Sequence, residues 1–199
     1  MAPIKSFQFL LIPLMTILFL SSSFAQSNAD DEISYSIRKN EEEHLKGTHR
    51  FTLGLGHTLI SGARDENGKQ RAPLASWSFD YDYWLSNEWA IGIQNEYILE
   101  NFIVEHNESP MIERNRPIAV GIVGMHKLSR HWTLVAGTGS EFSEGSSLWF
   151  TRLGVEYGVP LPKAWEAGVS LFWDNKWNYY NSWGISAVFS KLYQKRQRD

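Results

Sequence analysis

Leu85-Ser-Asn-Glu-Trp89, Leu128-Ser-Arg-His-Trp132 and Leu161-Pro-Lys-Ala-Trp165 are three versions of one phrase. In each, an alternating run ends on Leu, a tight turn follows, and the next alternating run opens on Trp. The connections between these hairpins are longer and more polar. Short turns at one end, longer loops at the other and Trp at the short-turn end form the pattern of a transmembrane β-barrel.

Working outward from the turns, the whole region has a period of two. Arg50–Ile60 puts Phe51, Leu53, Leu55, His57 and Leu59 on one face and Arg50, Thr52, Gly54, Gly56 and Thr58 on the other. Such a run reads as a half-buried strand. Leu74–Leu85 sets Ala75, Trp77, Phe79, Tyr81 and Tyr83 against Ser76, Ser78, Asp80 and Asp82. Trp89–Phe102 sets Trp89, Ile91, Ile93, Tyr97 and Leu99 against Gly92, Gln94, Glu96 and Glu100. Arg116–Leu128 opposes Ile118, Val120 and Ile122 to Ala119, Gly121, Val123, Met125 and Lys127. Trp132–Phe142 opposes Trp132, Leu134 and Ala136 to Thr133, Gly137, Gly139 and Glu141. Ser147–Val159, Trp165–Asp174 and Ser182–Ser190 continue the pattern, with Arg152, Glu156, Glu166 and Asp174 on the polar face. Exposed loops are expected at Ser61–Ala72, His106–Asn115, Ser143–Ser146 and the Trp- and Tyr-rich Asn175–Asn181. Eight strands joined in sequence need seven connections, and short and long alternate as required. The expected fold is all-β: an eight-stranded antiparallel up-and-down transmembrane barrel with both termini periplasmic.

The N-terminus is set apart from this fold. Met1 to Lys5 carries one positive charge, Phe7 to Leu20 is almost wholly apolar, and Ser23-Phe24-Ala25 is a small-x-small cleavage site. Residues 1–25 read as a secretory signal peptide. A membrane anchor needs about 20 apolar residues, and this run is shorter and broken by Pro13. Residues 26–47, with Asp30-Asp-Glu32 and Glu41-Glu-Glu43, read as a polar periplasmic leader. Residues 48–193 are the expected barrel and 194–199 a basic tail.

Composition narrows the classes. About 174 residues after cleavage suit one domain. The chain has no cysteine, hence no disulfide framework and no thiolate metal site. A net charge of −3 is too mild to point to nucleic acid. Trp 9, Tyr 8 and Phe 11 make it rich in aromatics. Its mean hydropathy of −0.32 is that of a soluble protein. Strands alternating between lipid and lumen average to such a value.

Lipid is favoured over water because the large apolar residues share one face while the other carries Gly, Ser, Thr and charges. A soluble barrel would invert this, and no helical pattern is available to cover the apolar face. Closure in lipid satisfies every backbone group. Tyr83, Trp89, Trp132, Tyr157 and Trp165 fall at the short-turn end. Trp77, Tyr97, Trp149, Trp173 and Trp183 fall roughly a bilayer's apolar thickness further along, since eight tilted residues climb about 20 Å. These two sets are the expected membrane-interface aromatics.

The pattern resembles the small eight-stranded outer-membrane barrels typified by the outer-membrane protein A barrel domain and its X- and W-type relatives. The final strand, Ser182-Trp-Gly184-Ile-Ser-Ala187-Val-Phe189, resembles their C-terminal assembly signal, with Gly184, Ala187 and Phe189 as its key positions. It departs in continuing through Tyr193 to a basic tail, so either Phe189 or Tyr193 is the aromatic that is recognised. The resemblance implies residence in the outer membrane, lipid as surroundings, and the barrel-assembly machinery as a partner during insertion.

Chemistry is expected in the lumen. Arg50, Asp80, Asp82, Glu96, Glu100, Lys127, Glu141, Arg152 and Glu156 form the expected luminal charge network. In a barrel narrow enough to be filled by side chains, such charges must be paired or watered. A structural or surface-interaction barrel is the first reading and a narrow cation-preferring pore the second. A lipid-modifying enzyme ranks last: His126, Ser129, His131 and Glu88 sit at the wrong end for an outer-leaflet substrate, and His57 faces lipid without a carboxylate. No cofactor, metal site or nucleic-acid partner is expected, and any surface ligand is unidentified. Trp177-Asn-Tyr-Tyr180 is either a boundary aromatic group or a stacking surface for a sugar or protein.

Overall fold

The computed structural model describes residues 45–64, 73–106, 109–177 and 179–194. The expected signal peptide, the leader up to residue 44 and the tail from residue 195 lie outside the described residues. Among the described residues eleven strands run in order: β1 (Thr48–Ile60), β2 (Ala63–Arg64), β3 (Leu74–Trp84), β4 (Trp89–Ile98), β5 (Phe102–His106), β6 (Ser109–Arg114), β7 (Ile118–Lys127), β8 (Trp132–Ser143), β9 (Ser146–Leu161), β10 (Trp165–Lys176) and β11 (Tyr180–Gln194).

Eight of them close a barrel in the order β1-β3-β4-β7-β8-β9-β10-β11, and β11 returns to β1. Every junction is antiparallel. Thr48 faces Gln194 and Ile60 faces Ser182, so the first and last strands seal the seam along their full length. Closure leaves no strand edge to template aggregation. It also puts chain entry and exit at one end, the end of the three Trp turns.

Strand alternation sorts the residues as a barrel in lipid requires. Phe51, Leu53, Leu55, Ile93, Ile122, Leu153 and Ile185 are exposed, while Thr52, Thr58, Ser76, Ser182 and Ser190 are buried. A water-soluble protein does not expose so continuous an apolar belt.

The repeated phrase builds two kinds of turn. In the first two copies Leu85 N donates to Trp89 O (2.8 Å) and Leu128 N to Trp132 O (2.9 Å). Ser86 Oγ accepts from Trp89 N (3.0 Å), and Ser129 Oγ from Trp132 N (3.3 Å). The third copy has Pro162 in place of the serine and uses left-handed backbone instead, with φ of 62° at Lys163 and 56° at Ala164. Leu192 N donates to Ala164 O (2.9 Å), so a neighbouring strand holds this turn.

The opposite, loop end differs from expectation in two places. The polar stretch His106–Asn115 is not simply a loop: β5 and β6 pair there, and β2 adds to β5 to give a three-stranded sheet. The short connection expected at Ser143–Ser146 is a two-residue turn in which Gly145 takes φ 82°. The expected loop Asn175–Asn181 is mostly strand, because β10 runs on to Lys176 and β11 starts at Tyr180. Polar side chains that would signal a loop elsewhere here continue the inward phase of a strand.

Two apolar layers lie inside. Ile60, Leu74, Ile98, Phe102, Val104, Leu148 and Tyr180 pack at the loop end, beneath β2 and β5. Leu45, Trp84, Ala90, Val123, Met125 and Val135 pack at the turn end. Leu45 belongs to the stretch expected as leader, yet it is buried against the barrel. Gly47 N donates to Trp84 O (2.8 Å), with Gly47 at φ 79° to make the bend.

Candidate functional site: a charge column through the lumen

Between the apolar layers the inward positions of seven strands meet in one polar column. Its lower centre is Arg50 on β1. Arg50 Nε donates to Asp82 Oδ2 (2.8 Å), Nη2 to Glu156 Oε2 (2.8 Å) and Nη1 to Glu166 Oε1 (3.4 Å). The upper centre is Arg152 on β9, which makes two bonds to Asp174, Nε to Oδ1 (2.8 Å) and Nη2 to Oδ2 (2.9 Å). Its Nη2 also lies 3.5 Å from Glu96 Oε2. Gln94 joins the two centres, accepting from Arg152 Nη1 (3.4 Å) and donating to Glu156 Oε1 (3.2 Å).

Above Arg152 the column continues through Lys176. Its Nζ reaches Asp174 Oδ2 (3.3 Å), Ser182 Oγ (2.6 Å) and Glu141 Oε2 (3.4 Å). Glu141 in turn accepts from Arg114 Nε (2.9 Å) and from the Tyr180 hydroxyl (2.5 Å). Arg114 is wholly buried at the end of β6, so this bond ties the outer hairpin to the barrel wall. Arg114 Nη1 adds a bond to Ser146 Oγ (2.7 Å). Glu96 also accepts from the Thr58 hydroxyl.

The column needs support because bare guanidinium groups in a low-dielectric space are costly. Two inward rings flank Arg152, with the guanidinium carbon 4.2 Å from the Phe172 centroid and 5.3 Å from that of Phe150. The rings fit because glycines stand opposite. A Cβ on Gly184 would fall on the Phe172 ring, and one on Gly139 would crowd Val120 O as well as the Phe150 ring.

Asp80 does something else. The β3–β4 ladder is interrupted beside it, between the pairs Ser78–Glu96 and Tyr81–Ile93. Asp80 Oδ1 accepts from Asn95 N (2.9 Å), and Asn95 Nδ2 donates to Phe79 O (2.7 Å). Side chains here substitute for the missing ladder bonds.

The remaining expected residues are placed as follows. Lys127 stands half-buried at the turn-end mouth, its Nζ 5.6 Å from the Trp84 ring centroid. Glu100 is not in the lumen. β4 ends at Ile98, the alternation stops there, and the Glu100 carboxylate accepts from Ala75 N (3.4 Å) at the rim. It lines a surface cleft of about 240 Å³ together with Glu113 and Arg116. Arg114, Lys176, Tyr180 and Trp84 are column or plug residues that sequence reasoning missed. Carrying the two-residue phase one step beyond Asp174, and one step before Ser182, would have found Lys176 and Tyr180. Nothing local marks Arg114.

The outward aromatics pair across strands. Trp89 stacks on His126 (4.3 Å between ring centroids), Trp132 meets Tyr157 edge-on (4.9 Å) and Trp165 stacks on Phe189 (4.6 Å). Toward the loop end Trp77 meets Tyr97 (6.0 Å) and Trp173 meets Trp183 (6.5 Å), while Trp149 is two-thirds exposed. Tyr83 packs on His49 (5.0 Å). In β11, Ala187 and Phe189 point outward and Gly184 inward.

The weakest reading, an acyl-transfer group at the turn end, meets different roles. Ser129 Oγ staples its own turn, His131 Nδ1 lies 2.9 Å from Gly158 O, and His126 lies flat on Trp89. Among the described residues no three His, Cys, Asp or Glu side chains are grouped to hold a metal ion.

No family model and no curated protein sequence matches the chain. Solved structures similar to it include Ail, the attachment invasion locus protein of Yersinia pestis, at 14% identity over 73% of this chain and 99% of that one, TM-score 0.45. The outer membrane protein OprG of Pseudomonas aeruginosa matches at 10% identity over 76% and 98%, TM-score 0.47. Neisserial surface protein A matches at 10% identity over 73% and 99%, TM-score 0.46.

Proposed function

We propose that this chain is a non-enzymatic outer-membrane barrel with a structural or surface-interaction role, its lumen held shut by the charge column. In this reading the Trp turns face the periplasm and the β5–β6 hairpin faces outside. Lipid surrounds the aromatic belt, and β11 is the strand offered to the barrel-assembly machinery, through Gly184, Ala187 and either Phe189 or Tyr193. Residues 1–25 would direct export.

The observation that carries the closed reading is the filling of the lumen. Leu45 and Trp84 occupy one end, Phe102 and Tyr180 the other, and two ionic centres stand between. A cleft at the turn-end mouth, reaching in to Arg50, and a cavity beside Arg152 measure about 20 Å³ and 10 Å³. A cavity of that size holds about one water molecule. It is no conduit.

The second reading, a narrow pore, draws on the charge balance. Asp80, Asp82, Glu96, Glu141, Glu156, Glu166 and Asp174 outnumber Arg50, Arg114, Arg152 and Lys176, so any leak favours cations. Planar-bilayer recording separates the two. The closed reading expects no steady conductance above background; a steady cation-selective conductance would replace it with the pore. Membrane residence is tested independently by heat-modifiable migration on a denaturing gel. A mature chain that stays soluble without detergent would end both readings.

A further inference from the structure

Among the described residues, the two rims of the barrel carry different charge. At the turn end the described residues include Lys46, Lys127, Arg130, Lys163 and Lys191, with Glu88 as the opposing outward carboxylate; Glu156 and Glu166 turn inward to Arg50. At the loop end the described residues include Arg64 and Arg116 beside Glu100, Glu113 and Glu144.

Two of the basic groups at the turn end, Lys127 and Lys191, lie on aromatic rings. Lys191 Nζ lies 4.8 Å from the Trp165 centroid and 5.8 Å from that of Tyr193, and it donates to Lys163 O (2.5 Å). That bond holds the Lys191 side chain against the backbone of the β9–β10 turn. Arg130, Lys127 and His131 gather beside Leu45 and Tyr157, with Lys46 next in sequence. At the same end His49 donates to or accepts from the Tyr81 hydroxyl at 2.8 Å, and His126 lies on Trp89. Rings that sit at a headgroup boundary thus hold cations at that same depth.

We infer that the turn-end rim binds the phosphate groups of anionic phospholipids, and so selects the lipids next to the barrel in that leaflet. This site presupposes the membrane reading above and adds to it the chemistry of the ligand. A phosphodiester with no compensating ammonium is the complement of a rim rich in lysine and arginine, and each basic group near a charged bilayer adds to the attraction. A zwitterionic headgroup brings its own cation and gains less. The rings supply the second half of the site, since a lysine braced over an indole loses less side-chain freedom when a phosphate docks.

The test uses the full-length mature barrel reconstituted in phosphatidylcholine vesicles. Electron spin resonance then compares spin-labelled phosphatidylglycerol with spin-labelled phosphatidylcholine in the immobilised lipid shell. The expected result is a preference for phosphatidylglycerol of about threefold or more at low salt, falling toward one near 1 M salt, where the screening length is about 3 Å. The quadruple variant Lys46→Gln, Arg130→Gln, Lys163→Gln, Lys191→Gln should lose the preference, and Arg116→Gln at the loop end should keep it. If the quadruple variant does not fold, Lys46→Gln with Lys163→Gln, both exposed, should show a reduced preference. No preference in the unaltered barrel, or one that the turn-end substitutions leave intact, overturns the inference while the membrane reading stands. Failure of the unaltered chain to insert overturns both.

Discussion

Arg152 grips Asp174 through two parallel hydrogen bonds of 2.8 and 2.9 Å, with the two side chains 3% and 0% exposed. The pair faces across β9 and β10 at one register level. This bond is the point at which the lumen turns from a set of charges into a bonded column. Gln94, Glu96 and Lys176 all attach to one partner or the other.

Removing half of a buried pair strands the other half. Arg152→Ala is expected to cost about 3–5 kcal/mol, because Asp174 keeps only Lys176 and Glu96 loses its nearest cation. Equilibrium unfolding in urea from lipid vesicles measures this. Arg152→Met combined with Asp174→Asn should recover part of the loss, since Asp174 no longer carries a stranded charge, while Glu96 still lacks its nearest cation. A single variant as stable as the parent would remove the column from the account of stability.

Gly184→Ala tests a contact that the sequence hides. The new methyl group would overlap the Phe172 ring, which lies under Arg152. Overpacking of this kind costs about 1–3 kcal/mol. Phe172→Leu in the same chain should relieve part of it. If Gly184→Ala instead slows insertion without changing equilibrium stability, its role lies in recognition during assembly.

Leu153 is half exposed on the outer face, midway along β9. Leu153→Arg is expected to destabilise the inserted barrel by about 2–4 kcal/mol. Thr133 is buried on the inner face, and Thr133→Ser should be close to neutral. The contrast, read by the same unfolding assay, measures lipid exposure: equal effects would place Leu153 outside the hydrocarbon layer.

Trp89, Trp132 and Trp165 all point outward at the turn end. Variants retaining one of these tryptophans each, in lipids brominated at different depths, should show quenching strongest near the headgroups. An indole there keeps its ring in lipid and its N–H wet. Strongest quenching at the bilayer centre would shift the barrel's depth by half its height.

What the sequence by itself determined is the barrel wall. A period of two sends each side chain to a definite side, so Phe51 and Thr52, or Leu153 and Arg152, were assigned from spacing alone. Three short turns fixed where three hairpins reverse, although the phrase did not reveal that Pro162 forces a different turn from Ser86 and Ser129. The structure decided what the inward side chains do once assembled. Glu100 lies past the end of β4 and leaves the lumen, while Lys176 and Tyr180, read as loop, enter it. Arg114 reaches Glu141 only because β5 and β6 fold over the mouth, and Leu45 only counts as a plug once Trp84 stands beside it. Alternation is a local property of the backbone and is legible in any short window. Which charges pair, and which glycine faces which ring, depends on strands far apart in sequence meeting around a closed circle.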